Sequence, residues 1–216
     1  MTTLLIPLVG PMQSWGMDSR FDFRHTATEP TKSAVIGLLC CCLGRDRSEP
    51  TSDLTALRFG VRVDQEGTLL RDFHTVSGVP PANYQGKTSE LQTLVSQRWY
   101  LTDAAFTVGV ESGDRNQLET LHEALKHPFW SPCLGRRSCL ITVPLASGGI
   151  VDVPLVDALN QAPLQGNPAK DKKPLPRRVL VDDHRGNQLR PDELIGTFKE
   201  RRYSQRRIST LMTAPL

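Results

Sequence analysis

Long hydrophobic runs are missing from this chain of 216 residues. No stretch approaches the roughly 20 apolar residues of a membrane-spanning helix, so no membrane partner is expected. The strand-like pattern begins at residue 3, which leaves no room for a signal peptide and makes the cytoplasm the expected location. Aromatic residues are sparse at 6%, and cysteines number five. Three of the five stand together as Cys40, Cys41 and Cys42 inside an apolar helical run. Successive helix positions point about 100° apart, so the triplet cannot converge on one metal and makes poor disulfide partners. These residues read as small core hydrophobes. Cys133 and Cys139 have no second Cys/His pair at ligand spacing nearby, which argues against zinc. Neither a metal nor any other cofactor is expected. No internal repeat is visible, and a chain of this length carries ample core without a disulfide staple.

Charge is nearly balanced overall at +3, but it is unevenly spread. Residues 170–207 hold twelve Lys/Arg against six Asp/Glu, leaving fourteen against seventeen elsewhere. The basic character is therefore local and C-terminal.

Residues 3–9 read as a first strand, ending in the loop Gly10-Pro11-Met12-Gln13-Ser14-Trp15-Gly16. Thr31 can cap a helix over 32–43, apolar almost all round and therefore buried, with Gly44 as its stop. Residues 57–64 alternate as a strand with 69–76 as a hairpin partner, and strand character returns at 98–101 and 105–110. Asp114 caps a second helix with Leu118, Leu121 and Leu125 on one face, broken at His127-Pro128. The turn Gly135-Arg136-Arg137 then leads into the apolar run 140–143, read as a strand. The order strand, helix, strand, strand, helix, strand predicts an α+β, ferredoxin-like (RRM-like) fold with a long excursion between its middle strands. A domain over 1–145 is expected, followed by a small β-rich extension over 146–216 with strands near 177–181 and 198–208. Pro, Gly and Lys dominate 162–177, a segment expected to be mobile.

Several blocks together resemble a known family: the first strand running into Gly10 to Gly16, Pro30-Thr31-Lys32-Ser33 opening the apolar helix, Asp72-Phe73-His74-Thr75-Val76, Tyr84-Gln85-Gly86-Lys87, residues 98–108, and Leu134-Gly135-Arg136-Arg137-Ser138-Cys139. They are similar to the CRISPR-associated CasD proteins of the Cas-five group, repeat-associated RNA-binding proteins that serve in the type I-E Cascade complex. The resemblance implies that the excursion, about 75–97, is a protruding thumb. It implies a crRNA partner held by its 5′ handle, a thumb contact to the backbone subunit CasC, and help in anchoring the large subunit CasA. The wider complex would include CasB and CasE and recognise target DNA. Precursor RNA is cut by CasE in such systems, so the implied role is a cap and not a nuclease.

An RNA end is held by cations on phosphates, flat groups for splayed bases and polar edges that read them. Lys32 and Ser33, at the positive end of a helix, form a candidate phosphate site. Gln13 and Ser14 could bond base edges, while Trp15 could stack on a base or plug the core. Tyr84 and Lys87 lie in the thumb, and Arg98 opens the returning strand toward the same groove. Arg136 and Arg137, with Ser138 beside them, would clamp phosphate or stack on a base, although either could pair instead with a carboxylate such as Asp103. One alternative is a metal-independent endoribonuclease using His74, Tyr84 and Lys87, or His25 as base, but neither of these histidines has a lysine beside it in the sequence. The other is a purely protein-binding scaffold.

Overall fold

The computed structural model describes residues 1–16, 23–83, 85–166 and 176–213. Its first half runs β1 (Thr2–Val9), β2 (Met12–Gln13), β3 (Phe23–Arg24), α1 (Lys32–Leu43), α2 (Ser52–Thr55), β4 (Arg58–Gln65), β5 (Thr68–Val79), β6 (Gln92–Thr102) and β7 (Ala105–Ser112). The second runs α3 (Arg115–Lys126), β8 (Ile150–Val151), α4 (Leu155–Gln161), β9 (Arg178–Asp182), β10 (Gln188–Ile195) and β11 (Arg202–Met212). Seven strands form one sheet in the order β10-β11-β9-β4-β7-β1-β8. Its β4-β7-β1-β8 part is antiparallel throughout, with α1 between β1 and β4 in the chain and α3 between β7 and β8. That is the split β-α-β arrangement of a ferredoxin-like core. The C-terminal strands extend the same sheet through the β4–β9 pairing.

Alternation along each strand decides which face receives which helix. Leu4, Ile6, Leu8, Val61, Val63, Phe106 and Val108 meet α1 and α3 in the main core. Leu5, Val179 and Val181 face the other way and pack with Leu155, Ala158 and Leu159 of α4. Full burial of each Leu or Val contributes about 1.5–3 kcal/mol. Gly109 makes room for α4, since a Cβ there would lie 2.5 Å from Leu155 Cδ1. On this second face Arg62 is fully buried, and its Nε donates to Asp64 Oδ1 at 2.5 Å. Its guanidinium also donates to the carbonyls of Leu159, Ala162 and Pro163. It thereby takes up carbonyls left over at the end of α4.

Helix α1 has the expected caps: Thr31 Oγ1 accepts from Ala34 N, and Gly44 closes the helix at φ 75°. Residues 140–143 are not a strand. Leu140 is exposed, Thr142 N donates to Val9 O at 3.0 Å, and Pro144 has no N–H to continue a ladder. The last core strand is instead the two-residue β8, after a 3-10 turn at Leu145–Gly148. The strand expected at 198–208 begins only at Arg202, because Arg201 turns the chain at φ 52°. Strand β10 and helix α4 were not anticipated. Pro191 interrupts the β10 pattern and coincides with a register shift between Arg190 and Glu193. The segment expected to be mobile lies largely outside the described residues.

Strands β5 and β6 form a long hairpin between β4 and β7, extended by β2 and β3 along β6. At its base Tyr100 and Leu101 are buried, whereas Phe73, Val76, Leu91, Leu94 and Val95 are exposed. The expected thumb, 75–97, is the outer part of this hairpin.

Candidate nucleic-acid interface

The turn after α3 and the loop after β1, far apart in sequence, are locked together. Gly135 adopts φ +92°, and a Cβ on it would lie 1.7 Å from Ser14 O, so only glycine fits. Ser14 N donates to Leu134 O at 3.0 Å, and Leu134 N donates to Cys139 O at 2.9 Å. The loop is consumed by this packing. Gln13 is fully buried, its Nε2 donating to Ala104 O at 2.8 Å and Leu8 O at 3.2 Å while its Oε1 accepts from Trp15 Nε1 at 3.1 Å. Trp15 is likewise fully buried, and Ser14 Oγ donates to Trp99 O at 3.3 Å. The expected base reading is therefore not available to the Gln13 and Trp15 side chains, which are spent on the loop's own fold.

Arg136 does not pair with Asp103. Its guanidinium donates to Trp99 O at 3.2 Å and Arg24 O at 2.8 Å, and lies 4.6 Å from the Tyr100 ring centroid. It thus ties the turn to β6 and β3 by hydrogen bonds and a cation–π contact. The β3–β6 register sets Arg24 beside Arg98 on the same face as Tyr100. Arg98 Nε donates to Ser96 Oγ at 3.2 Å. Arg24 and Arg137 are exposed and form no ion pair with a described residue. Three arginines from distant segments, Arg24, Arg98 and Arg136, therefore share one surface at the thumb base, with Arg137 and exposed Ser138 on the adjoining turn. Arg24 was not singled out from sequence, because a two-residue parallel pairing leaves no local signature.

Lys32 is not a free phosphate ligand. It is buried, its Nζ lying 3.1 Å from Asp182 Oδ2 and 3.3 Å from Glu193 Oε1, and its backbone N donates to Asp192 Oδ2 at 2.8 Å. Carboxylates of the protein itself already occupy the positive end of α1. Asp192, next to Pro191 at the β10 irregularity, is buried there and also accepts from Arg206 Nε at 2.7 Å. Ser33 is half-buried and lines a neighbouring cavity. Lys87 is exposed in the thumb loop, its backbone N bonded to Asn83 Oδ1 at 3.0 Å; Tyr84 lies outside the described residues. Much of the C-terminal basic charge is matched internally: Arg178 to Glu66, Arg190 to Glu29, Arg202 to Glu200, and Arg206 to Asp182 and Asp192.

The opposite thumb face carries aromatic groups. Arg71, Trp99 and His25 form one row across it, with His25 stacked on Trp99 at 6.3 Å, and Phe73, Gln97 and Phe23 form the next. On the arginine face, where Asp72 stands across from Arg98, His74 Nδ1 lies 3.4 Å from Asp72 Oδ2. Among the described residues no group of three or more His, Cys, Asp or Glu is arranged to hold a metal. All five cysteines are free, and burial pushes Cys40 up to about 11 and Cys42 up to about 12. No helix among the described residues is long and apolar enough to cross a membrane.

A family model described as CRISPR-associated protein (Cas_Cas5) matches residues 3–212. The CRISPR system Cascade subunit CasD of Escherichia coli (strain K12) is 38% identical over 179 residues, covering 76% of this chain and 79% of that protein. Among solved structures, a crystal structure of a Cas protein is 41% identical with a TM-score of 0.77, covering 99% of this chain and 95% of its own. A chain of a CRISPR RNA-guided surveillance complex is 33% identical with a TM-score of 0.80, covering 98% of this chain and 90% of its own.

Proposed function

Because the chain belongs to the CRISPR-associated protein (Cas_Cas5) family, matched from residue 3 to residue 212, we propose that it is a non-catalytic subunit of a Cascade complex that binds the 5′ handle of crRNA. The observation that carries this reading is the convergence of Arg24, Arg98 and Arg136 on one face at the thumb base, with the turn bearing Arg137 pinned beside them. Arg136 serves as the anchor that fixes the turn, and Arg137, exposed and without an ion pair to any described residue, supplies a phosphate contact. Arg24, Arg98, Ser138 and Lys87 extend the track. The exposed apolar outer thumb, with Leu91 and Leu94, suits a protein neighbour, in this reading CasC, and CasA is anchored nearby. His25 stacks on Trp99 on the opposite thumb face, whereas His74 shares the arginine face and is paired with Asp72, so whether the RNA is only held there is decided by the cleavage assay below.

The test is the affinity of the full chain, alone and in the assembled complex, for single-stranded handle RNA across a salt series. Affinity falls with salt because binding releases counterions, and Arg137→Ala flattens the slope by about 0.7 without changing thermal stability. Binding that ignores salt, or an unchanged slope in this variant, overturns the assignment and favours the scaffold alternative. Single-site cleavage without metal, abolished by His74→Ala, overturns the non-catalytic part.

A further inference from the structure

Behind the Gly135 turn lies a cavity of about 360 Å³ walled by Trp130, Phe198 and the face of α1 that carries Ser33 and Gly37, with Gly135 on its rim. We propose that it is a pocket for one unstacked nucleobase of the RNA strand held at the turn, an inference that rests on the RNA-binding reading above. The volume falls within the range of about 300–1,000 Å³ typical of small-ligand sites. Two of its walls are aromatic in a chain with few aromatic residues, and side chains with π-faces are what accept a base splayed out of a single strand.

Each wall is held in a way that keeps the space open. Trp130 N donates to Cys41 O at 3.3 Å, and Phe129 N to Cys42 O at 2.9 Å, so the end of α1 fixes the backbone that presents the Trp130 ring. Phe129 meets Trp130 edge-on at 5.1 Å. Phe198, which also lines the cavity, stands 3.4 Å from where a Cβ of Gly37 would lie, so a long side chain at Gly37 would have to enter the cavity or displace that ring. Trp130 stays 45% exposed, which leaves part of its ring reachable from solvent.

The charge around the pocket also suits an anionic strand. Arg47 lines it, is exposed and forms no ion pair with a described residue, and Arg137 is on the adjoining turn. Arg45 is already spent on Asp53, with Nη1–Oδ1 at 2.7 Å. The carboxylate lining the pocket, Asp46, accepts from Ser48 N at 2.9 Å and Ser48 Oγ at 2.6 Å. A backbone crossing from Arg137 toward Arg47 places a sugar at the mouth and lets its base turn inward, with the Ser33 hydroxyl available to its edge. A greasy protein side chain would gain the aromatic walls but would offer no anion to Arg47 and Arg137, neither of which is paired with a described residue.

The experiment uses the full chain, free and in its assembled complex, with a single-stranded handle RNA and a set of the same RNA carrying one abasic residue at each position in turn. Wild type is expected to lose affinity by about 5- to 150-fold at one position, the range for a single base–aromatic stack. That loss should disappear in Trp130→Ala, and independently in Gly37→Met, which fills the space from a helix position where methionine is the better helix former. Both variants should keep the wild-type salt slope, since no phosphate contact is removed. Equal affinity for all abasic RNAs in wild type overturns the pocket while leaving the RNA-binding reading intact. So does a position effect that survives both variants. Variants that bind RNA normally but fail to enter the complex make the cavity a protein contact and overturn the proposal. Absence of salt-dependent RNA binding in wild type removes the pocket and the broader reading together.

Discussion

Replacing Gly135 by alanine should do more damage than its small size suggests, and the structure gives the magnitude. At φ +92° a Cβ is in the left-handed region, which costs about 1–2 kcal/mol for any ordinary residue. Sterics add to this, because the new Cβ and Ser14 O must separate from 1.7 Å to beyond 3.0 Å. That movement pulls apart the bond from Ser14 N to Leu134 O and disturbs the two bonds of Arg136 to the Trp99 and Arg24 carbonyls. With about 1 kcal/mol for each hydrogen bond weakened, the total is about 3–5 kcal/mol. For a chain of this size that lowers the melting temperature by about 6–20 °C. The control is Gly78→Ala in the thumb, where φ is +72° but nothing lies within 4 Å of the new Cβ. It should cost only the conformational part, about 1–2 kcal/mol and about 2–8 °C. Thermal unfolding of the two variants side by side reads the difference. Equal shifts, or a Gly135→Ala protein as stable as wild type, would refute the account of the locked turn.

Lys32→Ala should destabilise the fold by about 2–4 kcal/mol in chemical denaturation, since it leaves Glu193 and part of Asp182 uncompensated, while the salt slope of RNA binding stays as in wild type. Arg62→Ala should be harsher at about 3–5 kcal/mol, because it strands the buried Asp64 carboxylate, whose proton affinity burial already raises, and frees the α4 carbonyls. Alkylation of the native protein by iodoacetamide at pH 8 followed by mass spectrometry should modify Cys41 and Cys133 ahead of Cys40, Cys42 and Cys139. The latter three are buried, and the thiolate that reacts is nearly absent in groups pushed to about 11 and about 12, as in Cys40 and Cys42.

Helix α1 illustrates what is legible from local sequence. Thr31, the apolar run and Gly44 are all local signals, and both ends of the helix fall where they predict. The same holds for α3, capped by Asp114; the alternation of β4 locates the strand, but its polar face, which reads as wet, is buried with Arg62 and Asp64 on it. Residues 140–143 mislead because β-branched and apolar content alone does not make a strand; a partner edge must exist, and Pro144 together with the 3-10 turn takes the chain past β1 before pairing begins at Ile150. Lys32 misleads for a related reason. A lysine at a helix start is a cation site until another segment supplies carboxylates, and those come from 150 and 161 residues away, at Asp182 and Glu193.

The Gly135-Arg136-Arg137 turn divides along the same line. Its sequence by itself determined that a glycine-bounded pair of arginines follows α3, and the several blocks of family resemblance determined the kind of partner to expect. Only the tertiary structure decided how the two arginines differ, with Arg136 turned inward to backbone carbonyls of β6 and β3 and Arg137 left outward. It also brought Arg24 beside Arg98 and put Trp130 and Phe198 on the lining of one cavity. Caps and periodicity are written within a few residues of one another, whereas the pairing of a charge or the wall of a cavity depends on which distant segments the sheet brings together.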